Sequence, residues 1–271
     1  MHFAMTGTTR YGGELELVRA IATEAAKFAL KRSKDVTPTE KANHSYVTEL
    51  DKDLELLIRK RLGAAYPNDR LTGEEFEAEG GKGPRRWSID PIDGTGNLVH
   101  GLPLWAISIG LIDDGRPAVG VIIVPVLDEI YWAAAGEGAW RGDERLQVDD
   151  ADEFHRQDNV CLGTNAMRKI DPRTVPGRIR DLGSSCCEQV FLAAGRLKAC
   201  VMLGERTHDV AAGVVIASEA GCAFATIEGE RLDAADVIRR SPIATPTIAA
   251  APRRLEAMFR QIRPYPAPPL A

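Results

Sequence analysis

The chain has 271 residues, of which 44% are hydrophobic and 27% are charged, with a formal net charge of −5. This composition is typical of a globular protein with one large domain or two moderate ones. The acidic balance argues against nucleic acid as a partner, because binding to a phosphate backbone needs an excess of basic residues.

The cysteines and the start of the chain indicate the compartment. An odd number of cysteines, with two adjacent and no CxxC pair, predicts reduced thiols rather than disulfides or a zinc cage. The opening residues MHFAMTGTTR show no signal-peptide pattern, and no apolar run reaches the roughly 20 residues of a membrane helix. We therefore expect a soluble, cytoplasmic protein with no membrane partner.

The first half of the chain predicts two helices followed by a sheet. Apolar residues recur at helical spacing from Glu14 to Arg32 and from Leu50 to Leu62, with Gly63 placed to end the second helix. The polar stretch between these helices, DVTPTEKANHSYVTE, predicts a mobile loop. A short strand from Trp87 and three longer strands then predict antiparallel sheet packed on the two helices. The longer strands are predicted at 104–112, 118–125 and 129–135.

The second half alternates between strands and helices. A polar stretch at 149–154 separates it from the first half, so two domains are predicted, residues 1–150 and 151–271. Its predicted strands are 159–164, 197–202, 222–227 and 247–251. Its predicted helices are 184–195, 209–221 and one that opens at Pro252. The proline-rich tail PYPAPPLA is predicted to be disordered.

The stretch DPIDGTG places two acids where a strand gives way to a helix. Asp90 is predicted to end the strand, and Gly94 and Thr95 to begin the helix, whose free N–H groups suit a phosphate. Two carboxylates would repel that phosphate unless a divalent cation lay between them. On this stretch alone, a metal site and simple helix capping by Asp90 and Asp93 remain equal alternatives.

Acids from two other segments favour the metal site. LTGEEF supplies Glu74 and Glu75 after a predicted strand, and THDVAAG places Asp209 at the predicted N-cap of an amphipathic helix. Each acid alone has an ordinary explanation as a solvated loop residue or a cap. Together they are carboxylates from three segments, all at element ends, which is the ligand type that Mg²⁺ prefers.

DPIDGTGN, preceded by GEE and followed by HDVAAGVVIASEAG, resembles the inositol monophosphatase family of magnesium-dependent, lithium-sensitive phosphatases. The resemblance extends from VTELD at 47–51 to the last helix. It implies a mixed α+β and α/β fold, a layered αβαβα sandwich, that forms a homodimer. It also implies a site with two or three Mg²⁺ ions.

The resemblance also implies a role for each matched residue. Glu74, Asp90 and the Ile92 carbonyl would hold the first ion, and Asp90, Asp93 and Asp209 the second, with a third held weakly near Glu74. Glu74 and Thr95 would orient and deprotonate the attacking water, with Asp51 accepting the Thr95 hydroxyl proton. The groups implied to bind substrate are Asp93, the N–H groups of Gly94 and Thr95, and the loop Gly183, Ser184 and Ser185.

Three positions depart from the family pattern. His208 stands where the family has Trp, and Cys222 stands where it has Gly. We expect His208 to be a polar residue at the pocket rim, with a metal ligand or general acid as the alternative. Met202 stands where inositol-cleaving members carry a Glu that binds sugar hydroxyls. Glu205 and Arg206 are the nearby residues that could take over that contact.

The expected function is magnesium-dependent hydrolysis of a small phosphomonoester, with inositol 1-phosphate as the default substrate. Histidinol phosphate, 3′-phosphoadenosine 5′-phosphate and fructose 1,6-bisphosphate are the alternatives. A regulatory binding protein that kept the fold without turnover is the non-enzymatic alternative. It is disfavoured, because such a protein has no reason to keep the whole acid set. Calcium storage fits poorly, since the acids lie in segments too far apart for one EF-hand loop.

Overall fold

The computed structural model of the chain describes residues 10–34, 36–41 and 45–265. The predicted disordered tail lies outside the described residues, except for Pro264 and Tyr265. Within the described part, no helix combines the length and the apolar character needed to cross a bilayer.

Two long helices open the fold, and shorter ones follow. Helix α2 begins with a capping box, in which the Thr48 hydroxyl accepts from the Leu50 N–H and the Asp51 carboxylate accepts from the Thr48 N–H. The helices are α1 (Gly12–Arg32), α2 (Glu49–Ala65), α3 (Thr95–Val99), α4 (Thr164–Met167), α5 (Ser185–Ala193), α6 (Thr207–Glu219), α7 (Ala234–Arg239) and α8 (Pro252–Gln261).

The strands form a small hairpin and an eight-stranded sheet. The hairpin pairs β1 (Thr39–Glu40) with β2 (Tyr46–Val47). The sheet has the order β10-β9-β8-β7-β6-β5-β3-β4. Its strands are β3 (Arg70–Gly73), β4 (Glu79–Gly80), β5 (Arg85–Asp93), β6 (Ala106–Asp113), β7 (Arg116–Val124), β8 (Glu129–Ala134), β9 (Ala139–Arg141) and β10 (Glu144–Leu146).

A second sheet of six strands follows in the chain, with the order β12-β11-β13-β16-β14-β15. Strands β12, β11 and β13 are parallel, whereas β13, β16, β14 and β15 pair antiparallel. The strands are β11 (Asn159–Leu162), β12 (Arg178–Arg180), β13 (Ala199–Met202), β14 (Ala223–Thr226), β15 (Arg231–Leu232) and β16 (Thr247–Ala250).

Because successive side chains of a strand point to opposite faces, each sheet has a core on both faces, and the elements stack in five layers. Ile109 and Leu111 of β6 point into a core shared with α1 and α2, whereas Ile122 of β7 points into a core shared with α5 and α6. Cys200 and Phe224 of the second sheet enter that same middle core. The outer face of the second sheet packs on α8. This order of layers is the predicted αβαβα sandwich.

Several predictions for the first half were wrong in detail. Helix α2 continues through Gly63 and ends at Ala65, because Pro67 disfavours helical backbone at Tyr66. The predicted loop at 35–49 contains the β1–β2 hairpin. The four strands predicted to form the sheet, β5 to β8, do pair antiparallel, but the sheet also contains β3, which runs parallel to β5.

Two site elements also differ from the predictions. Strand β5 does not end at Asp90 but runs to Asp93, with a register shift against β6 between these two residues. Asp209 is not the N-cap of its helix; α6 begins at Thr207, so Asp209 is its third residue. Residues 210–217 of α6 are buried, because the helix lies between two sheets. It is therefore not amphipathic as predicted.

The boundary at residue 150 coincides with the change of sheet. In the described part, the strands of the eight-stranded sheet precede residue 150 and those of the six-stranded sheet follow it. We propose that residues 1–150 and 151–271 are two structural halves joined by the middle core.

Candidate active site

The C-terminal end of β5 opens into an acidic cavity of about 330 Å³. Strand β3, helix α3, the first turn of α6 and the hairpin β1–β2 surround it. The lining residues are Ser45, Tyr46, Glu74, Asp90, Ile92, Asp93, Gly94, Thr95, Gly96 and Asp209. The structure thus brings together, at one cavity, the residues predicted as metal ligands from three separate segments.

Asp90 lies at the bottom of this cavity and is only 1% exposed. Its Oδ1 is buried and has no hydrogen-bond partner among the described residues. Carboxylate oxygens of Asp90, Asp93 and Asp209 lie within 4.8 Å of one another, and a second group within that distance joins Glu74, Asp90 and His208. Burial, then Glu74 and Asp93, raises the pKa of Asp90 well above its usual value.

Asp93 is fixed by the N-terminus of helix α5. Its Oδ2 accepts hydrogen bonds from the Ser184 hydroxyl and, at 2.8 Å, from the Cys186 N–H. Burial and the nearby Asp209 nevertheless raise the pKa of Asp93 to about 7. Neither Asp90 nor Asp93 caps α3, since that helix begins after Gly94 without a side-chain cap. The capping alternative is therefore wrong for this pair.

Asp209 reaches the cavity from the first turn of α6. Its Oδ2 accepts the Arg206 N–H at 2.6 Å, so this residue ties down the start of α6 as well as facing Asp90. Burial raises its pKa to about 6. Helix α6 can approach the sheet because Gly110 and Gly120 lack side chains. A Cβ on Gly120 would lie 2.3 Å from the Ala212 carbonyl oxygen.

Glu74 follows strand β3 in a short loop held by a buried acid. The Glu55 Oε2 accepts the Glu75 N–H at 2.8 Å, and Glu55 fits there because Gly73 has no Cβ, which would lie 2.0 Å from its Oε1. Lys41 donates to the Oε1 atoms of Glu74 at 2.8 Å and Glu75 at 2.7 Å. Burial alone would lower the pKa of Lys41, but these two bonds raise it.

Lys41 is a site residue that the sequence analysis missed. It lies just after β1, in a polar stretch whose spacing carries no helix, strand or motif pattern. No signal in one sequence could have separated it from the other lysines.

Thr95 and Asp51 form the predicted pair. The Thr95 hydroxyl lies 3.0 Å from both Asp51 Oδ1 and the Ile92 carbonyl oxygen, and can donate its proton to either. Asp51 is held in place by the N–H and hydroxyl of Thr48 on its other oxygen. Burial raises the pKa of Asp51 although these bonds lower it.

The predicted substrate loop lies beside Asp93 rather than among the residues lining the acidic cavity. Gly94 has φ 89°, and a Cβ there would meet Ser184 Cβ at 3.0 Å, so the loop packs on the turn between β5 and α3. The Ser185 hydroxyl accepts from Gln189. Met202 is 3% exposed and belongs to the middle core.

His208 stands at the edge of the acid cluster. Its Nε2 lies 3.4 Å from Asp209 Oδ1, and its side chain is 14% exposed. Burial lowers its pKa below the usual value, which favours the neutral ring.

The donor set fits a divalent cation. Four carboxylates and the Ile92 carbonyl are the oxygen ligands that hard cations take. Burial and, after it, repulsion between neighbouring acids raise the pKa values of Asp90, Asp93 and Asp209, and a shared cation would relieve both effects. The buried Oδ1 of Asp90, which has no hydrogen-bond partner in the described part of the chain, is an oxygen that such an ion could contact.

Comparisons with known proteins agree with this geometry. The model of the inositol monophosphatase family matches residues 11–264. The chain is 34% identical over 243 residues to a histidinol-phosphatase of Chlorobaculum parvum, covering 82% of this chain and 92% of that protein. It is 32% identical over 209 residues to a fructose-1,6-bisphosphatase/inositol-1-monophosphatase of Aquifex aeolicus, covering 73% and 78%.

A solved structure extends the match to the fold. The IMPase of Thermotoga maritima superposes with a TM-score of 0.81 at 26% identity, covering 92% of this chain and 96% of that one. The chain therefore belongs to the inositol monophosphatase family and is a phosphatase of that family.

Proposed function

We propose that the chain is a magnesium-dependent phosphomonoesterase for a small phosphorylated metabolite, with inositol 1-phosphate as its reference substrate. The observation that carries this proposal is the cavity where Glu74, Asp90, Asp93 and Asp209 converge around the buried Asp90 Oδ1, which has no hydrogen-bond partner among the residues that the structure describes. The family is metal-dependent, and these acidic groups could bind metal.

The residues divide into two sets of proposed ligands. Glu74, Asp90 and the Ile92 carbonyl would hold one ion, with a third, weaker ion beside Glu74. Asp90, Asp93 and Asp209 would hold the second. When bound, such ions neutralise phosphate charge and lower the pKa of a coordinated water.

The proton acceptor on the chain side is proposed to be Thr95, supported by Asp51. The Thr95 hydroxyl donates a hydrogen bond to Asp51 Oδ1 at 3.0 Å, which leaves its lone pairs free to accept a hydrogen bond from water. When the water gives its proton to Thr95, the hydroxyl proton of Thr95 would pass to Asp51. Thr48 holds Asp51 in that position. Glu74, on the other side of the cavity, is the second residue proposed to orient the water.

Phosphate and the rest of the substrate are proposed to bind along the turn after β5. The N–H groups of Gly94 and Thr95 border the cavity, and the absence of a side chain at Gly94 lets a ligand approach. Asp93 and the loop Gly183–Ser185 beside it would contact the leaving group.

A second candidate substrate is histidinol phosphate. Met202 is buried in the core and offers no carboxylate to a polyol, which weakens the case for inositol 1-phosphate. The relative in Chlorobaculum parvum is named a histidinol-phosphatase, and the match covers most of its length. 3′-Phosphoadenosine 5′-phosphate and fructose 1,6-bisphosphate remain further alternatives.

We further propose a cytoplasmic homodimer that is sensitive to lithium. The five cysteines are all free and buried, which fits a reducing compartment. The regulatory alternative is disfavoured because Glu74, Asp90, Asp93, Thr95 and Asp209 all border the same cavity.

The test is phosphate release with Mg²⁺ across the four candidate substrates. We expect release from at least one, inhibition by millimolar lithium, and a loss of at least about 10³-fold in kcat/KM for Asp90→Asn. Asp53→Asn, an exposed acid of α2 paired with Arg32, should keep the wild-type rate. No release from any substrate, or release that survives Asp90→Asn, would contradict the proposal.

A further inference from the structure

His208 places an imidazole beside the acids of the cavity. It precedes Asp209 in the first turn of α6, and one ring nitrogen lies within 4.8 Å of ligand oxygens of both Glu74 and Asp90. These two acids reach the cavity from β3 and β5, so three separate elements converge at this point.

The surroundings of the ring point the same way. The distance from its Nε2 to Asp209 Oδ1 is 3.4 Å, longer than an ordinary hydrogen bond of 2.7–3.2 Å. Asp90 belongs to the same group, and its Oδ1 is buried without a hydrogen-bond partner among the described residues. A cation shared by the ring, Asp90 and Glu74 would place a positive charge next to that carboxylate.

An imidazole changes which ion a carboxylate site prefers. Mg²⁺ takes oxygen ligands almost exclusively, whereas first-row transition ions gain affinity from imidazole nitrogen. We propose that His208 is a nitrogen ligand beside Glu74 and Asp90, and that it gives the site a preference for divalent transition ions such as Mn²⁺ and Co²⁺. This inference rests on the proposed function only in requiring a cation in the cavity. Turnover with Mg²⁺ remains compatible with it.

The direct test is pulsed electron paramagnetic resonance of Mn²⁺ bound to the full chain. A directly bound imidazole should produce nitrogen hyperfine coupling in the wild-type spectrum. His208→Gln, which keeps a polar side chain without the ring, should lose that coupling. His155→Gln is the matched control, because His155 is exposed on a loop of the second half, and it should keep the coupling.

Calorimetric titration of the metal-free protein gives a second, independent readout. In His208→Gln, the Kd for Co²⁺ should rise by about 10-fold or more, while the Kd for Mg²⁺ should change by less than about 3-fold. His155→Gln should leave both values unchanged. A wild-type Mn²⁺ spectrum without nitrogen coupling would overturn the inference. So would a ratio of Co²⁺ to Mg²⁺ affinity that His208→Gln leaves unchanged.

The two proposals can fail separately. Phosphate release with Mg²⁺, together with a Mn²⁺ spectrum free of nitrogen coupling, keeps the proposed function and removes His208 from the ligand set. Nitrogen coupling that His208→Gln abolishes, with no phosphate released from any candidate, keeps the ligand and removes the phosphatase chemistry.

Discussion

Asp90 and Asp93 are buried beside the partly buried Asp209, and their charges are costly without a counter-ion. Burial and mutual repulsion raise the pKa of Asp93 to about 7 and of Asp209 to about 6, from a usual value of 3.8. The metal-free protein therefore holds protons at these positions that an unfolded chain would release above pH 4. Metal binding must displace the same protons.

This difference predicts that the metal-free protein loses stability as pH rises. Between about pH 4 and pH 7 the folded state binds more protons than the unfolded state, so the free energy of unfolding falls with pH. We expect a drop of at least about 1 kcal/mol between pH 5 and pH 7, since one retained proton contributes about 1.4 kcal/mol per pH unit. Urea unfolding after chelator treatment measures it.

Within the site, His208 has the opposite effect, because its lowered pKa makes the folded state more stable as pH rises. One such group does not outweigh three raised acids. Asp93→Asn should flatten the slope, and Mg²⁺ should stabilise the wild type more at pH 7 than at pH 5. A metal-free protein whose stability is flat or rises over this range would contradict the account.

For the site, the sequence predicted which acids would be metal ligands, but it did not predict the residues that contact them. The acids of DPIDGT, Glu74 of GEE and Asp209 stand out beside glycine or near element ends, and all four line the cavity. Lys41 could not be predicted, because its contact with Glu74 depends on a hairpin that folds over β3. The position of His208 relative to Asp90 likewise needs the tertiary structure.

The hairpin β1–β2 carries Lys41 to the acids from outside both sheets. Its ammonium group touches Glu74 and Glu75, so a cation that binds Glu74 must displace it or share that carboxylate. Removing a positive charge at such a distance favours cation binding by simple electrostatics. We expect Lys41→Gln to tighten Mg²⁺ binding by about 3- to 10-fold, as measured by calorimetry.

Lys60→Gln is the control for net charge, because Lys60 is an exposed residue of α2. It should leave the Kd for Mg²⁺ unchanged. Weaker Mg²⁺ binding in Lys41→Gln would show that the lysine supports the ion site rather than competing with it.

Helix α6 depends on close approach to the first sheet. A Cβ on Gly120 would lie 2.3 Å from the Ala212 carbonyl oxygen, and that backbone cannot move without moving the helix. Because Asp209 lies in the first turn of α6, a shift of the helix also moves a proposed ligand. Gly120→Ala should lower the free energy of unfolding by about 1–3 kcal/mol, as overpacked cores do, and also reduce the phosphatase rate.

Gly83→Ala is the matched substitution, because a Cβ at Gly83 meets no atom within 4 Å. It should leave stability and rate within error of the wild type. If Gly120→Ala were as stable and active as Gly83→Ala, the close contact between Gly120 and α6 would not be what positions the helix.

For the whole molecule, the middle core joins the two sheets. Val190 of α5 and Val214 of α6 belong to one core that includes Tyr131 of the first sheet and Phe224 of the second. Unfolding either half would expose the faces of both helices. We therefore predict one cooperative unfolding transition for the proposed halves 1–150 and 151–271.

Two probes can check this prediction. The four tryptophans all lie in the first half, at Trp87, Trp105, Trp132 and Trp140, so their fluorescence reports that half alone. Far-ultraviolet circular dichroism also reports α5, α6 and α8 of the second half. We expect the two signals to share one midpoint in urea, and two separated midpoints would show that the halves unfold independently.

The layered order could be predicted from the family resemblance, whereas periodicity alone predicted only the elements. The apolar runs of β6 and β7 indicated strands, but they could not show what covers each face of the sheet. The buried character of α6 was missed for the same reason, since its partners come from two sheets far apart in sequence. The parallel pairing of β3 with β5 also depends on a long connection that leaves no local pattern.

If the cavity is a metal site, Asp90 shares a divalent cation with acids from two other segments of the chain, those of Glu74 and Asp209. The most direct measurement is anomalous X-ray diffraction from a crystal of the full chain soaked in Mn²⁺. If the ion binds there, we expect an anomalous peak at about 2.0–2.3 Å from a carboxylate oxygen of Asp90, with Glu74 or Asp209 also in contact. A cavity without such a peak at saturating Mn²⁺ would contradict it.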